Sequence, residues 1–326
     1  MGRTGFLGDE AIALESEDYR AVVLPARGGG CFGLVHKPSG SRLLREPDAP
    51  AALDDRLSFY GMPLLFPPNR IAGGLFSVAG RSYSMPLNSR DGKSHIHGIL
   101  RRMPFSADAS DGVGADLSLR MGPGTEMREY FPHDFSVSIR FSLSDAGGLS
   151  QTVAVVNESD SPMPCGIGFH TAIAAPFHPA GDGAAIRLRL SADAEWELDA
   201  DMLPTGRMKG GGFARSLRDG EIAPVGVPYS TRHLRAASLS LGGGDFNGAE
   251  VEDPVAGCRV VYEVDPLFRH WAFWNDGGGK GYFCPEPMTW MINAPNLDLP
   301  PETTGLVALA PGGRMELRHS LRLEYM

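Results

Sequence analysis

No stretch of this 326-residue sequence approaches the roughly 18 consecutive apolar residues that a membrane-spanning helix needs. The opening residues, Met1 to Glu10, lack the long apolar core of a secretory signal. Gly2 stands where N-myristoylation would act, but Phe6 occupies the position at which that signal wants Ser or Thr. A cytoplasmic protein with no membrane partner is expected. Cysteine is scarce. Cys31, Cys165, Cys258 and Cys284 are scattered with no CxxC pair, which argues against a disulfide framework or a structural zinc site. Positive charge is in deficit, 30 Lys and Arg against 39 Asp and Glu for a net charge of -9, and this argues against nucleic-acid binding.

Familiar catalytic signatures are missing as well. There is no Gly-x-Ser-x-Gly elbow and no dinucleotide fingerprint between a strand and a helix. The glycine run from Gly242 to Phe246 is followed by no Lys-Ser or Lys-Thr and so is not a phosphate loop. Cys284 has no basic neighbour in sequence beyond Lys280, which leaves a cysteine nucleophile unsupported. Amphipathic helices are rare; residues 48–60 have room for a short one.

What the sequence does have is punctuation and alternation. Its 42 glycines and 26 prolines divide it into short segments. In one of them Phe135, Val137, Ile139, Phe141 and Leu143 fall on one face; in another Ile186, Leu188 and Leu190 do, and 315–323 is a further alternating stretch. Period two means half-buried strands. The expected fold is all-β, an antiparallel sandwich of large sheets rather than a βα alternation. Residues 179–184, 208–212 and 276–280 are expected to be flexible. None reads as a linker, so a single domain over 1–326 is expected.

Five places carry chemistry. Glu286 lies between Pro285 and Pro287 and follows the aromatic run from His270 to Trp274. If buried, its pKa moves toward neutrality, where a general base works best; the plain alternative is a solvated turn glutamate. Asn69 and Arg70, after a proline break, can clamp a polyol or serve as a loop cap and a surface ion pair. His95 and His97, two apart, point the same way in an extended chain. That invites a metal, but no carboxylate follows within several positions; otherwise one donates into a cleft, or both are ordinary strand histidines. His170 ends an apolar, glycine-rich segment as either a core residue or a proton donor at a strand end. Asp245, in the glycine run, can accept from sugar hydroxyls or simply form a turn.

Taken in order, these segments resemble the aldose 1-epimerase (galactose mutarotase) family. The resemblance rests on the stretch from Gly61 to Phe76 with its Phe-Pro and Asn-Arg-Ile, on Gly80 to Tyr83, Met85 to Asn88 and His97-Gly98. Further along it rests on Tyr130 to Phe135, Val156-Asn157, Pro162 to Pro164, Gly166 to His170, and Gly281 to Glu286 with Asn293 to Asn296 after it. It implies a galactose mutarotase-like β-supersandwich with a carbohydrate cleft on one large sheet and no metal or organic cofactor. It further implies Glu286 as general base, His170 as general acid, His97 near the ring oxygen, Arg70 and Asn69 on ring hydroxyls, and Asp245 as a hydroxyl-binding aspartate. The pattern departs at Ile99, where the best-known members have a second glycine, at Thr171-Ala-Ile after His170, and around Pro287 and Trp290. These changes are expected around the cleft and suggest a different sugar. Trp271, Trp274 and Trp290 can stack on a sugar ring, but at least two of them are expected in the core.

The expected activity is therefore cofactor-independent interconversion of α and β anomers of a small-molecule sugar. Alternatives are a non-catalytic carbohydrate-binding protein on the same scaffold, a metal enzyme using His95, His97, His170 and Glu286, and a hexose-6-phosphate 1-epimerase. The last needs a basic patch, for which Arg90, Arg101 and Arg102 are candidates.

Overall fold

The alternating segments become strands whose inward residues fill one sandwich core. This is seen in a computed structural model that describes residues 3–228, 230–241 and 243–326. Gly2, considered above for lipidation, and Gly242, the first residue of the glycine run, lie outside the described residues. The first large sheet is antiparallel. Its order is Ser106–Ser110, Gly114–Met121, Phe135–Ser144, Gly148–Asn157, Arg314–Tyr325, Cys258–Val264, Gly248–Asp253, Arg187–Leu190. Phe135, Val137, Ile139, Phe141 and Leu143 are all buried, and the serines and arginine between them are not. Arg314–Tyr325 alternates in the same way over twelve residues.

The second large sheet runs Pro204–Lys209, Ala192–Leu198, Ser230–Ala236, His270–Asn275, Tyr282–Met288, Gly168–Phe169, Leu64–Leu65, with Ile173–Ala174 also paired to Tyr282–Met288. Its inner face presents Leu234, Trp271, Phe273, Phe283 and Phe169 to the first sheet. Trp271 is fully buried there, its indole N–H donating to Ser191 O at 3.2 Å. A five-stranded meander over residues 3–42 packs alongside. The short helix anticipated at 48–60 is Pro50–Arg56, continued by a 3-10 turn Leu57–Phe59.

Residues 208–212, expected to be flexible, join two regular elements. Met208 and Lys209 end the strand Pro204–Lys209, and Gly212 begins a helix, Gly212–Arg218, that buries Ala214 and Leu217. Glycines suggested a loop there, but one buried helical face outweighs their propensity. No helix among the described residues is long and apolar enough to cross a membrane.

Candidate active site

Strand parity decides what Glu286 can reach. Along Tyr282–Met288, Phe283 faces the inter-sheet core, while Tyr282 and Cys284 pack with Phe59 and Trp274 on the outer face. Glu286 shares their phase. Ala272 stands directly opposite it in the register, and a methyl group leaves space beside the carboxylate. On the other side the ladder is interrupted. Gly168 pairs with Met288 and Ile173 with Phe283, but no ladder pair to Tyr282–Met288 is made between them, and His170 N donates to Pro63 O beside the strand Leu64–Leu65. Pro285 and Pro287, each lacking a ladder donor, sit opposite this gap. Phe169, Thr171 and Ile173 face the inter-sheet core, so alternation places the His170 ring on the outer face.

There His170 Nε2 lies 3.2 Å from Glu286 Oε1. Both side chains are buried, at 3% and 2% exposure, yet both line a cleft of about 1270 Å³. His170 Nδ1 and Glu286 Oε2 have no partner, so the pair offers two unused hydrogen-bonding atoms. Burial raises the Glu286 carboxyl well above its ordinary range against the pull of Arg70. Burial, and then the charge of Arg101, pushes His170 down to about 3. Both shifts favour an arrangement in which the pair holds one proton and no net charge.

The adjoining wall comes from two short pieces, Arg70–Ala72 and Ser94–Ile96, paired antiparallel. Asn69 is buried with φ at 55°, its Oδ1 accepting from Arg70 N at 3.0 Å and from Arg70 Nη1 at 3.4 Å. The side chain that caps the loop thus also positions the guanidinium. His97 follows the strand with φ at 63°, so it and His95 do not keep a strand's alternation. Its ring meets His170 edge-on, centroids 5.0 Å apart, and its buried Nδ1 is unpartnered. Burial holds His97 neutral, with the His170 ring adding to the effect. His95 Nδ1 lies 2.8 Å from Pro86 O. Among the described residues no three His, Cys, Asp or Glu side chains are grouped to hold a metal ion.

Trp274 completes the floor. It is half-buried, 5.7 Å from the His170 ring, whereas Trp271 and Trp290 are buried, as expected for two of the three. Two cleft residues, Thr231 and Asp276, were not singled out as ligands from sequence, and a third, Arg101, was raised there only as part of a basic patch for a phosphorylated sugar. Thr231, across the ladder from Trp274, has a buried hydroxyl without a partner. Asp276 accepts from Tyr282 OH at 3.3 Å. Arg101 lies in the turn Leu100–Arg102. Thr231 was findable only through register; Asp276 has the parity of Trp274 but was read as part of a loop.

Asp245 is not brought to the cleft. It is exposed on a hairpin, Leu239–Leu241 with Gly244–Phe246, whose Leu239 and Phe246 pack on Val261 of the first sheet. It is neither a cleft ligand nor a turn former but a strand residue opposite Ser240, because the hairpin ties this acid to the first sheet. The departures are also placed differently from expectation. Thr171 is buried and its hydroxyl donates to Tyr262 OH at 3.0 Å, while Trp290 covers Gly166, where a Cβ would meet its ring at 2.4 Å. Of these positions, Ile99 and not Thr171 or Trp290 lines the cleft.

The aldose 1-epimerase family model matches residues 10–322, nearly the whole chain. This protein belongs to the aldose 1-epimerase family. A galactose mutarotase-like protein from Clostridium acetobutylicum superposes with a TM-score of 0.94 at 29% identity, covering 99% of this chain and 98% of that one. Galactose 1-epimerase from Lactobacillus acidophilus NCFM shares the fold, with a TM-score of 0.72 at 17% identity over 99% and 97% of the two chains. The uncharacterized Escherichia coli (strain K12) protein YphB is 26% identical over 81% of this chain and 83% of its own. A second, YihR, is 25% identical, and the match spans about half its length, 49%. Family and fold together support a sugar epimerase or mutarotase activity for this aldose 1-epimerase family member, and hence an isomerase-type enzyme.

Proposed function

We propose that this protein is a cofactor-independent aldose 1-epimerase in which Glu286 is the general base and His170 the general acid. The observation that carries this reading is the 3.2 Å contact between the two side chains at the floor of an open cleft. Anomer exchange requires one proton to leave the C1 hydroxyl and one to reach the ring oxygen. A sugar inserted at the pair replaces their direct contact. Its C1 hydroxyl donates to the Glu286 carboxylate, and its ring oxygen accepts from the His170 imidazolium. The C1–O5 bond breaks, leaving an aldehyde, a neutral Glu286 and a neutral His170. Rotation about C1–C2 presents the other face of the aldehyde. On closure the C5 hydroxyl returns its proton to His170 while Glu286 reprotonates the new C1 oxygen. No electrons or protons are consumed, so the reaction itself calls for no cofactor.

Asn69, Arg70 and His97 are assigned to the substrate's oxygens, and Trp274 to a C–H face of its ring. A protein that merely binds a sugar has no need of an acid–base pair that shares a proton. The test is anomer exchange followed by NMR over a panel of aldoses, comparing wild type with Glu286→Gln and His170→Asn. Each substitution is expected to lower kcat by at least about two orders of magnitude. Variants that exchange anomers as fast as wild type would remove the mechanism.

A further inference from the structure

A second cavity opens on the outer face of the second large sheet, at the other end from the catalytic cleft. It measures about 390 Å³ and shares no lining residue with that cleft. His270 lines it. In the ladder His270 stands opposite Arg235 and Met288, and it has the parity of Ala272 and Trp274. Trp274 follows four positions later, roughly 13 Å along an extended chain. Ala272, packed with Met288, Ile292 and Leu203, stands between the two pockets. Two buried histidines meet beside this cavity, their ring centroids 5.3 Å apart. His233 uses both nitrogens: Nδ1 lies 3.2 Å from Trp271 O, and Nε2 accepts from Ile292 N at 3.4 Å. His270 is 1% exposed, and neither of its nitrogens makes a hydrogen bond. The Thr303 backbone favours a proton on the ring, but burial and then His233 outweigh it and keep the ring neutral. A neutral imidazole carries one N–H donor and one bare acceptor. Leaving both unmet is costly, and a ligand that meets them recovers the cost.

The lining decides what kind of ligand fits. Its charged side chains are Arg235, Arg269 and Glu302. Asp193 holds Arg235 with both carboxylate oxygens, at 2.8 and 2.7 Å, so one guanidinium and one carboxylate remain. Arg269 Nη1 donates to the Glu302 carbonyl oxygen at 3.3 Å. An anion only accepts, so it leaves the acceptor nitrogen of His270 unmet and faces Glu302. An ammonium only donates, so it leaves the N–H unmet and faces Arg269. A hydroxyl does both. Ser238 and Asn247, hydrogen-bonded to each other at 3.0 Å, add polar groups to the wall. Pro266 and the 40% exposed Met208 add apolar surface for a C–H face.

We propose that this cavity is a second, non-catalytic binding site for a neutral polyhydroxylated ligand, a monosaccharide or a sugar alcohol, with His270 accepting from one hydroxyl and donating to another. It does not rest on the epimerase reading. The experiment follows the His270 ring by NMR in protein isotopically labelled at histidine, its signals assigned by their loss in His270→Gln. The probes are glucose, galactose and glucitol, the last having no anomeric centre, with sodium sulfate as the anionic arm. The neutral probes are expected to shift the His270 signals saturably, with half-saturation at about 1–10 mM, and sulfate is expected to leave them in place. Because His270 and Trp274 share a strand, a shift can also reach the ring from the catalytic cleft. Ser238→Trp separates the two cases. Ser238 is exposed, so the substitution fills the cavity mouth and spares the core. It is expected to weaken the His270 response by about tenfold or more while leaving any response at His170, and anomer exchange, as in wild type. Three results overturn the proposal: no movement of His270 with any neutral probe at about 0.1 M, an equal response in Ser238→Trp, or a response to sulfate as strong as to the sugars. Each leaves the epimerase reading intact. A His270 response in a protein that exchanges no anomers strikes that reading and supports this one.

Discussion

Glu286 and His170 share one proton, and burial favours the arrangement in which the carboxyl keeps it. The ionised arrangement holds the same number of protons, so a sugar's dipoles can shift the pair between the two without exchange with solvent. A protonated carboxyl band is therefore expected in the infrared spectrum of the free protein, absent from Glu286→Gln and diminished when substrate binds. An ionised carboxylate in the free protein would contradict this. The same directions set the pH profile. On the acid side kcat/KM falls as His170 takes a second proton, which burial delays to about pH 3. On the basic side it falls as the shared proton is lost at the raised pKa of Glu286. The expected result is a plateau extending well to the acid side of 6.5, where an exposed histidine would already have titrated.

At the scale of elements, the site exists because regular pairing fails in two places. One is the break between Gly168–Phe169 and Ile173–Ala174, which frees His170 from the ladder. The other is the turn after Ser94–Ile96, where His97 and Gly98 both have positive φ. Gly98 bridges Phe66 so closely that a Cβ would lie 2.1 Å from Phe66 O. Only glycine fits, for steric reasons as well as conformational ones. Gly98→Ala is expected to destabilise the protein by about 2 kcal/mol or more and to displace His97, raising KM for whatever aldose is turned over. Chemical denaturation and steady-state kinetics measure the two effects. Unchanged stability would mean that the turn does not constrain the wall.

Over the whole molecule, eight histidines, His36, His95, His97, His133, His170, His233, His270 and His319, are held below the ordinary imidazole range, with burial the leading cause in each. Below about pH 6.5 each takes up a proton in the unfolded chain but not in the folded one. Their contribution is thus present above that pH and lost as pH falls toward their folded values, about 3 for His170, His233 and His319. Glu286 acts in the opposite sense: its contribution is present below 4.5 and lost as pH rises through its raised pKa. One carboxyl does not balance eight imidazoles. At about pH 5.5 each fully buried histidine is expected to cost on the order of 1 kcal/mol, against a typical total of about 5–15. The denaturation midpoint at pH 5.5 should fall clearly below that at pH 7.5; an equal midpoint would show that these histidines are solvated.

Alternation in Phe135–Ser144 and Arg314–Tyr325 identified the sheets, because a period of two has one stable solution when a single face is buried. Residue chemistry and the order of the motifs identified Glu286, His170, His97, Asn69 and Arg70, which the fold gathers around one cleft. Local sequence had no means of placing Asp245 or Thr231, since the sheet an acid or a hydroxyl faces depends on pairings tens of residues away. Nor did it show that Glu286 and His170 are withdrawn from water. Burial is a property of everything packed around a group. Composition and periodicity determined which faces turn inward; the tertiary structure alone decided which titratable groups are buried against one another there.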